Sequence, residues 1–178
     1  MASQNNTIGY MVIEGSEGQL RGIALVTDNE GKPVDYRYTG LISPKKLEEI
    51  LYGDSWNTYF KQEVILQSIL EVVNVPDVWI CQDREILEPV YSISKVKTVL
   101  LEEFHYAPVY AAGSVVSTEE SGVFLIHVAA GKRPYKATFP KDIRSYEIPA
   151  VASILTEYAE TMNLLEPFMR IKRLSNTL

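Results

Sequence analysis

Three strand-like runs open the chain. Thr7 to Glu14 is almost wholly apolar, and Leu20 to Asp28 is a second such run. Val34 to Thr39 alternates, with Val34, Tyr36 and Tyr38 on one face and Asp35, Arg37 and Thr39 on the other. The gaps are Glu14-Gly15-Ser16-Glu17-Gly18 and Asp28-Asn29-Glu30-Gly31-Lys32-Pro33. Period-two runs separated by short gaps rich in Gly, Asn and Asp predict consecutive hairpins. The chain is therefore expected to begin as a three-stranded antiparallel meander.

Helical spacing takes over after Ser43-Pro44, a capping hydroxyl followed by a proline at the first helical position. Leu47, Ile50 and Leu51 follow at that spacing, Tyr52-Gly53-Asp54 breaks it, and a longer helix is predicted from Trp56 to Val73. Asn74-Val75-Pro76-Asp77 stops it, because proline disfavours helix in the residue before it. Val78 to Gln82 reads as a short buried strand. A helix is predicted from Ser92 or Ser94 to Glu103, with Val96, Val99 and Leu100 inward. Pro108 to Ser117 and Gly122 to Ala130 read as a second hairpin, and Tyr135 to Phe139 as another strand. From Pro149 a helix carries Val151, Ile154, Leu155, Tyr158 and Met162 on one face. Residues 1–6 are polar and expected to fray. Residues 167–178 form a basic tail or short helix. The stretch 7–166 reads as a single α/β domain with a mixed sheet and helices packed on it.

Composition narrows the classes. A chain of 178 residues buries enough apolar surface to fold without disulfides or a structural metal. Its net charge of -6 argues against gripping nucleic acid over its whole surface and leaves only local basic patches for that role. The single cysteine, Cys81, lies within the apolar Val78-Trp79-Ile80-Cys81 and has no internal partner, which suits a reducing cytoplasm. No stretch approaches the ~20 apolar residues of a membrane span. Neither a zinc spacing nor a glycine-rich phosphate loop occurs. His127, inside Phe124-Leu125-Ile126-His127-Val128, reads as a hydrogen-bonded core histidine.

The order strand, strand, strand, helix, strand, helix, strands, helix resembles the ribonuclease H-like superfold. The resemblance covers roughly residues 7–100 and the last helix, and it is carried by element order rather than by a motif. It implies that the fourth strand lies parallel to the first. Enzymes of the superfold hold two divalent metals about 4 Å apart with carboxylates. The resemblance thus implies acids on the first strand, the first long helix, the end of the fourth strand and the last helix. Glu14, Glu63 and Asp83 match the first three places. At 100° per residue Glu63 falls within the stripe of Trp56, Tyr59, Phe60, Leu66 and Leu70, where an unpaired charge is costly. The superfold's first-strand acid is typically an aspartate within the strand, whereas Glu14 stands at its end. Glu157 and Glu160 fall on the solvent side of the last helix, and nothing else there matches.

Two functions remain. The first is a non-catalytic scaffolding subunit that docks on a partner protein or on a second copy of itself and needs no cofactor. It is motivated by the incomplete acid set, the acidic balance and the 11 tyrosines. Its surface would comprise Tyr36 and Tyr38 with the basic clusters Lys132-Arg133 and Arg170, Lys172 and Arg173. The alternative is a Mg²⁺- or Mn²⁺-dependent nuclease using Glu14, Glu63 and Asp83.

Overall fold

The computed structural model describes residues 6–16, 18–105 and 110–178. Most of the N-terminal stretch expected to fray, and the first two residues of the run at Pro108, lie outside the described residues. Eight strands form one mixed sheet: β1 (Ile8–Ser16), β2 (Gln19–Thr27), β3 (Pro33–Tyr38), β4 (Val78–Cys81), β5 (Lys97–Glu103), β6 (Ser114–Ser117), β7 (Val123–His127) and β8 (Tyr135–Thr138). Their spatial order is β3-β2-β1-β4-β5-β8-β7-β6. β1, β2 and β3 pair antiparallel, as the opening meander predicts. β4 lies parallel to β1, with Ile8 opposite Val78 and Met11 opposite Cys81, and β5 continues parallel to β4.

The near-continuous apolar run of β1 has a physical reason: the strand is covered on both faces, as buried parallel strands are. Ile8, Tyr10 and Val12 point into one cluster with α5 (Glu147–Ala159) and α6 (Glu166–Ser175). Met11 and Ile13 point into another, with the helical stretch after Trp56 and with α4 (Arg84–Ser94). Residues 167–178 thus supply most of α6, whose Ile171 is 1% exposed. No helix among the described residues is long and apolar enough to cross a membrane.

Two helices differ from expectation. The predicted helix from Ser92 or Ser94 to Glu103 is instead the end of α4 followed by β5. Pro89 stands inside α4 and removes a backbone donor, so local preference argues against that helix. Lys95, in the left-handed conformation, ends it. Thr98-Val99-Leu100-Leu101 is a short apolar run that periodicity cannot assign, and β4 beside it decides for a strand. The first helix, α1 (Lys46–Tyr52), starts two residues later than expected, with Lys45 rather than Ser43 at the cap and Glu48 accepting the Lys45 backbone N–H at 2.6 Å.

The long helical stretch is composite. α2 (Trp56–Tyr59) runs into a widened, π-type segment (Phe60–Leu66) and then α3 (Gln67–Leu70). The buried positions are Phe60, Ile65, Leu66, Ile69 and Val73. Phe60 to Ile65 is one residue more than a normal turn, and the extra residue rotates the intervening side chains.

Candidate active site at the ends of β1 and β4

Parallel neighbours deliver their C-terminal residues to one sheet edge. The Gln82 backbone N–H donates to the Met11 carbonyl at 3.2 Å, extending the β1–β4 ladder by one step. Asp83 stands two residues past the end of β4, and Glu14 two residues before the end of β1, where it is paired with Arg21. Glu14 and Asp83 line a cavity of about 650 Å³, together with Gln82, Asn57, Lys61 and Lys172. In open α/β sheets this edge, beyond the carboxyl ends of the strands, is where ligands settle.

Each lining residue is placed by its element. Glu14 accepts a hydrogen bond from the Ser175 hydroxyl at the end of α6. Opposite Glu14 on β2 is Arg21, a buried residue whose guanidinium donates to the Ser175 carbonyl at 3.1 Å. Asp83 occupies the cap position of α4 in an extended conformation, with no side-chain bond to the helix. Asn57 and Lys61 stand one helical turn apart on the long helical stretch. Lys61 pairs with Glu85 at 2.6 Å, and that bond holds the Glu85 carboxyl below the usual carboxylate range. Lys172 comes from α6 on the other side of the sheet edge. The cleft therefore carries two carboxylates and two ammonium groups.

Glu63 is not among the lining residues. The expectation that it sits on the core stripe is corrected: it is exposed, because the widened turn carries Ile65 rather than Glu63 onto the sheet. The basic residues are dispersed too. Lys132 and Arg133 line a separate hollow with Ala159–Asn163, and Arg133 lies 2.6 Å from His105. Arg170 bonds the Gly31 carbonyl at 2.6 Å and pairs with Glu166. Only Lys172 of the two clusters lines the cleft. Tyr36 and Tyr38 lie on the edge strand β3, about half exposed.

Asn57, Lys61, Gln82, Arg21 and Ser175 are absent from the sequence-based candidates. The Asn57–Lys61 spacing was legible, but which helix face it occupied depended on the turn between Phe60 and Leu66. Ser175 and Arg21 meet only because α6 folds back over β1 and β2. Cys81 is fully buried, and burial pushes its thiol far above the ordinary range, so it is an inert core residue.

No protein-family profile and no curated protein sequence matches the chain. Solved structures do. Endonuclease V from Streptomyces avermitilis aligns with a TM-score of 0.58 at 13% identity, covering 98% of this chain and 84% of that one. Endonuclease V from Bacillus subtilis aligns at 0.51 and 10% identity, over 88% of this chain and 72% of that one. Endonuclease V from Ciona intestinalis, in complex with a 23mer DNA containing an inosine followed by a ribo-adenosine, aligns at 0.51 and 10% identity, over 99% and 88%. The fold is ribonuclease H-like. These three matches overturn the expectation of a non-catalytic docking subunit, since each is an endonuclease that shares this fold along most of the chain.

Proposed function

We propose that this chain is a divalent-metal-dependent nuclease working at the cleft where β1 and β4 end. The observation that carries the reading is the convergence of Glu14 and Asp83, from parallel neighbouring strands, on one cavity in a fold shared with endonucleases. The DNA held by the Ciona protein makes DNA the first substrate to try.

The donor set bears on the metal. Among the described residues, no group of three or more His, Cys, Asp and Glu is arranged to hold an ion. That does not fit the two-metal, four-acid centre implied by the superfold. Two carboxylates lining one cavity are the donor set that a single hard cation would use. Mg²⁺ keeps several of its waters and is commonly held by one or two carboxylates plus substrate phosphate. Glu14 and Asp83 would be those carboxylates, and the bound ion would lower the pKa of water and stabilise the leaving oxygen. The rest falls to the chain's own groups. The Ser175 hydroxyl orients Glu14, while Lys61 and Lys172 offset the charge of an approaching phosphodiester.

The test is cleavage of labelled single- and double-stranded DNA and RNA, with and without inosine, in Mg²⁺, Mn²⁺ or chelator. Cleavage is expected only with an ion. E14Q and D83N are each expected to lower it by about a hundredfold or more, equivalent to roughly 3 kcal/mol of transition-state stabilisation. Absence of cleavage on every substrate with both ions would overturn the reading, as would full activity in both variants.

A further inference from the structure

The edge strand β3 carries a feature that the cleft does not use. Tyr36 and Tyr38 project from the same face, 53% and 48% exposed. Their rings are nearly parallel, at 8°, with centroids 6.4 Å apart. Direct stacking brings carbon atoms to roughly 3.5–4 Å. Two such contacts span roughly 7–8 Å, so the pair, 6.4 Å apart, would open by about 1 Å to admit one further planar ring. We propose that Tyr36 and Tyr38 clamp one unpaired nucleobase, so that β3 forms a secondary site for single-stranded nucleic acid.

The surroundings favour that occupant. Tyr36 pairs with Leu25 and Tyr38 with Ile23, both of which pack on the α5–α6 side of the sheet. The tyrosines therefore flank α6. Arg170 of α6 reaches the β2–β3 turn at Gly31, and Arg173 stands one helical turn further along the same side. Arg170 is held by Glu166, whereas Arg173 enters no ion pair among the described residues. Aromatic residues on the sheet face that also carries a basic helix are the composition of a stacking platform that tracks a single strand, in which every base offers a π-face whatever its sequence. Register links this platform to the cleft. Tyr38 faces Ile23, which faces Val12, two residues before Glu14 on β1. Two strand spacings amount to about 10 Å.

A second copy of the chain is the competing occupant, and the strand is guarded against it. Pro33 begins β3, the β2–β3 register shifts between Val26 and Thr27, and Asp35 and Arg37 pair on the opposite face at 3.3 Å. Prolines, bulges and charges of this kind blunt edge-to-edge strand addition.

The inference rests on the reading that the chain handles nucleic acid, but its test is separable. Fluorescence anisotropy of labelled oligothymidylate and oligoadenylate is measured in chelator, at low salt, with no cleavage. The parent is expected to bind both. Y36A/Y38A should weaken binding about fivefold or more, from the loss of stacking. Y36F/Y38F should keep it. Both tyrosines are half exposed, and circular dichroism confirms that the variants fold. The proposal is overturned if the parent binds neither strand, if Y36A/Y38A binds as the parent does, or if the parent is a dimer that Y36A/Y38A dissolves. Because the readout needs no metal, failure here leaves the cleavage result standing, and failure of cleavage leaves this one standing.

Discussion

Gly22 lies in β2 directly beneath the widened helical segment, and alanine there probes the contact that sets the helix's position. A Cβ on Gly22 would lie 2.3 Å from Ile65 Cγ2 and 2.7 Å from Ile69 Cδ1. Ordinary carbon contacts are roughly 3.5–4 Å, so the helix or the isoleucines must give by about 1 Å. Ile65 is fully buried and Ile69 is 2% exposed, which leaves little room to yield. Two effects compete. Alanine in a strand gains about 0.5–1 kcal/mol over glycine in backbone entropy. Overfilling a close-packed core costs about 1–3 kcal/mol. The second is larger, and a net loss of about 0.5–2 kcal/mol is expected. For a chain of this size each kcal/mol moves Tm by about 2–4 °C, so G22A should melt about 1–8 °C lower. Ile65→Ala alone should cost about 2–5 kcal/mol through its cavity. In the double variant the new Cβ enters the space vacated by Cγ2, so the loss should fall short of the sum by about 0.5–3 kcal/mol. Thermal and denaturant unfolding of the four proteins measures this. G22A as stable as the parent, or strictly additive losses, would refute the close approach of β2 and the helix.

Two further outcomes follow from the same structure. His127 is buried with neither ring nitrogen bonded among the described residues, contrary to the bonded core histidine expected, and burial holds its pKa below 6.5. The unfolded chain takes up a proton below about pH 6.5 while the folded one resists it, so stability present above that pH is lost as pH falls through it. Tm should drop between about pH 7.5 and 5.5, and H127Q should flatten the slope; an unchanged slope sinks the assignment. Glu85, Glu120 and Glu166 have carboxyls held below their usual range by Lys61, Arg84 and Arg170, so their contribution is lost only at lower pH, outside that window. E63Q, at an exposed position outside the cleft, should change stability by less than about 0.5 kcal/mol and leave cleavage intact; a large effect on either would restore Glu63 to the site.

What the residues determine by themselves is local. The meander of β1 to β3 follows from alternating runs and turn-forming gaps, each decided within a few positions. The continuous apolar character of Ile8 to Ile13 and of Val78 to Cys81 marks strands buried on both faces, and this made a shared edge for Glu14 and Asp83 legible. Tertiary structure decided the rest. β5 is a strand because β4 supplies a hydrogen-bonding partner, although its own pattern fits a helix as well. α4 persists around Pro89 because Ile86, Leu87 and Val90 bury against the sheet. Glu63 faces water and Ile65 the core because one added residue per turn, invisible in a fixed 100° projection, rotates the helix over Gly22. Lys172 and Ser175 join Glu14 only because α6 packs back across β1 and β2. Contacts between residues some 160 positions apart carry no local signal, since their free energy arises only when the chain is closed.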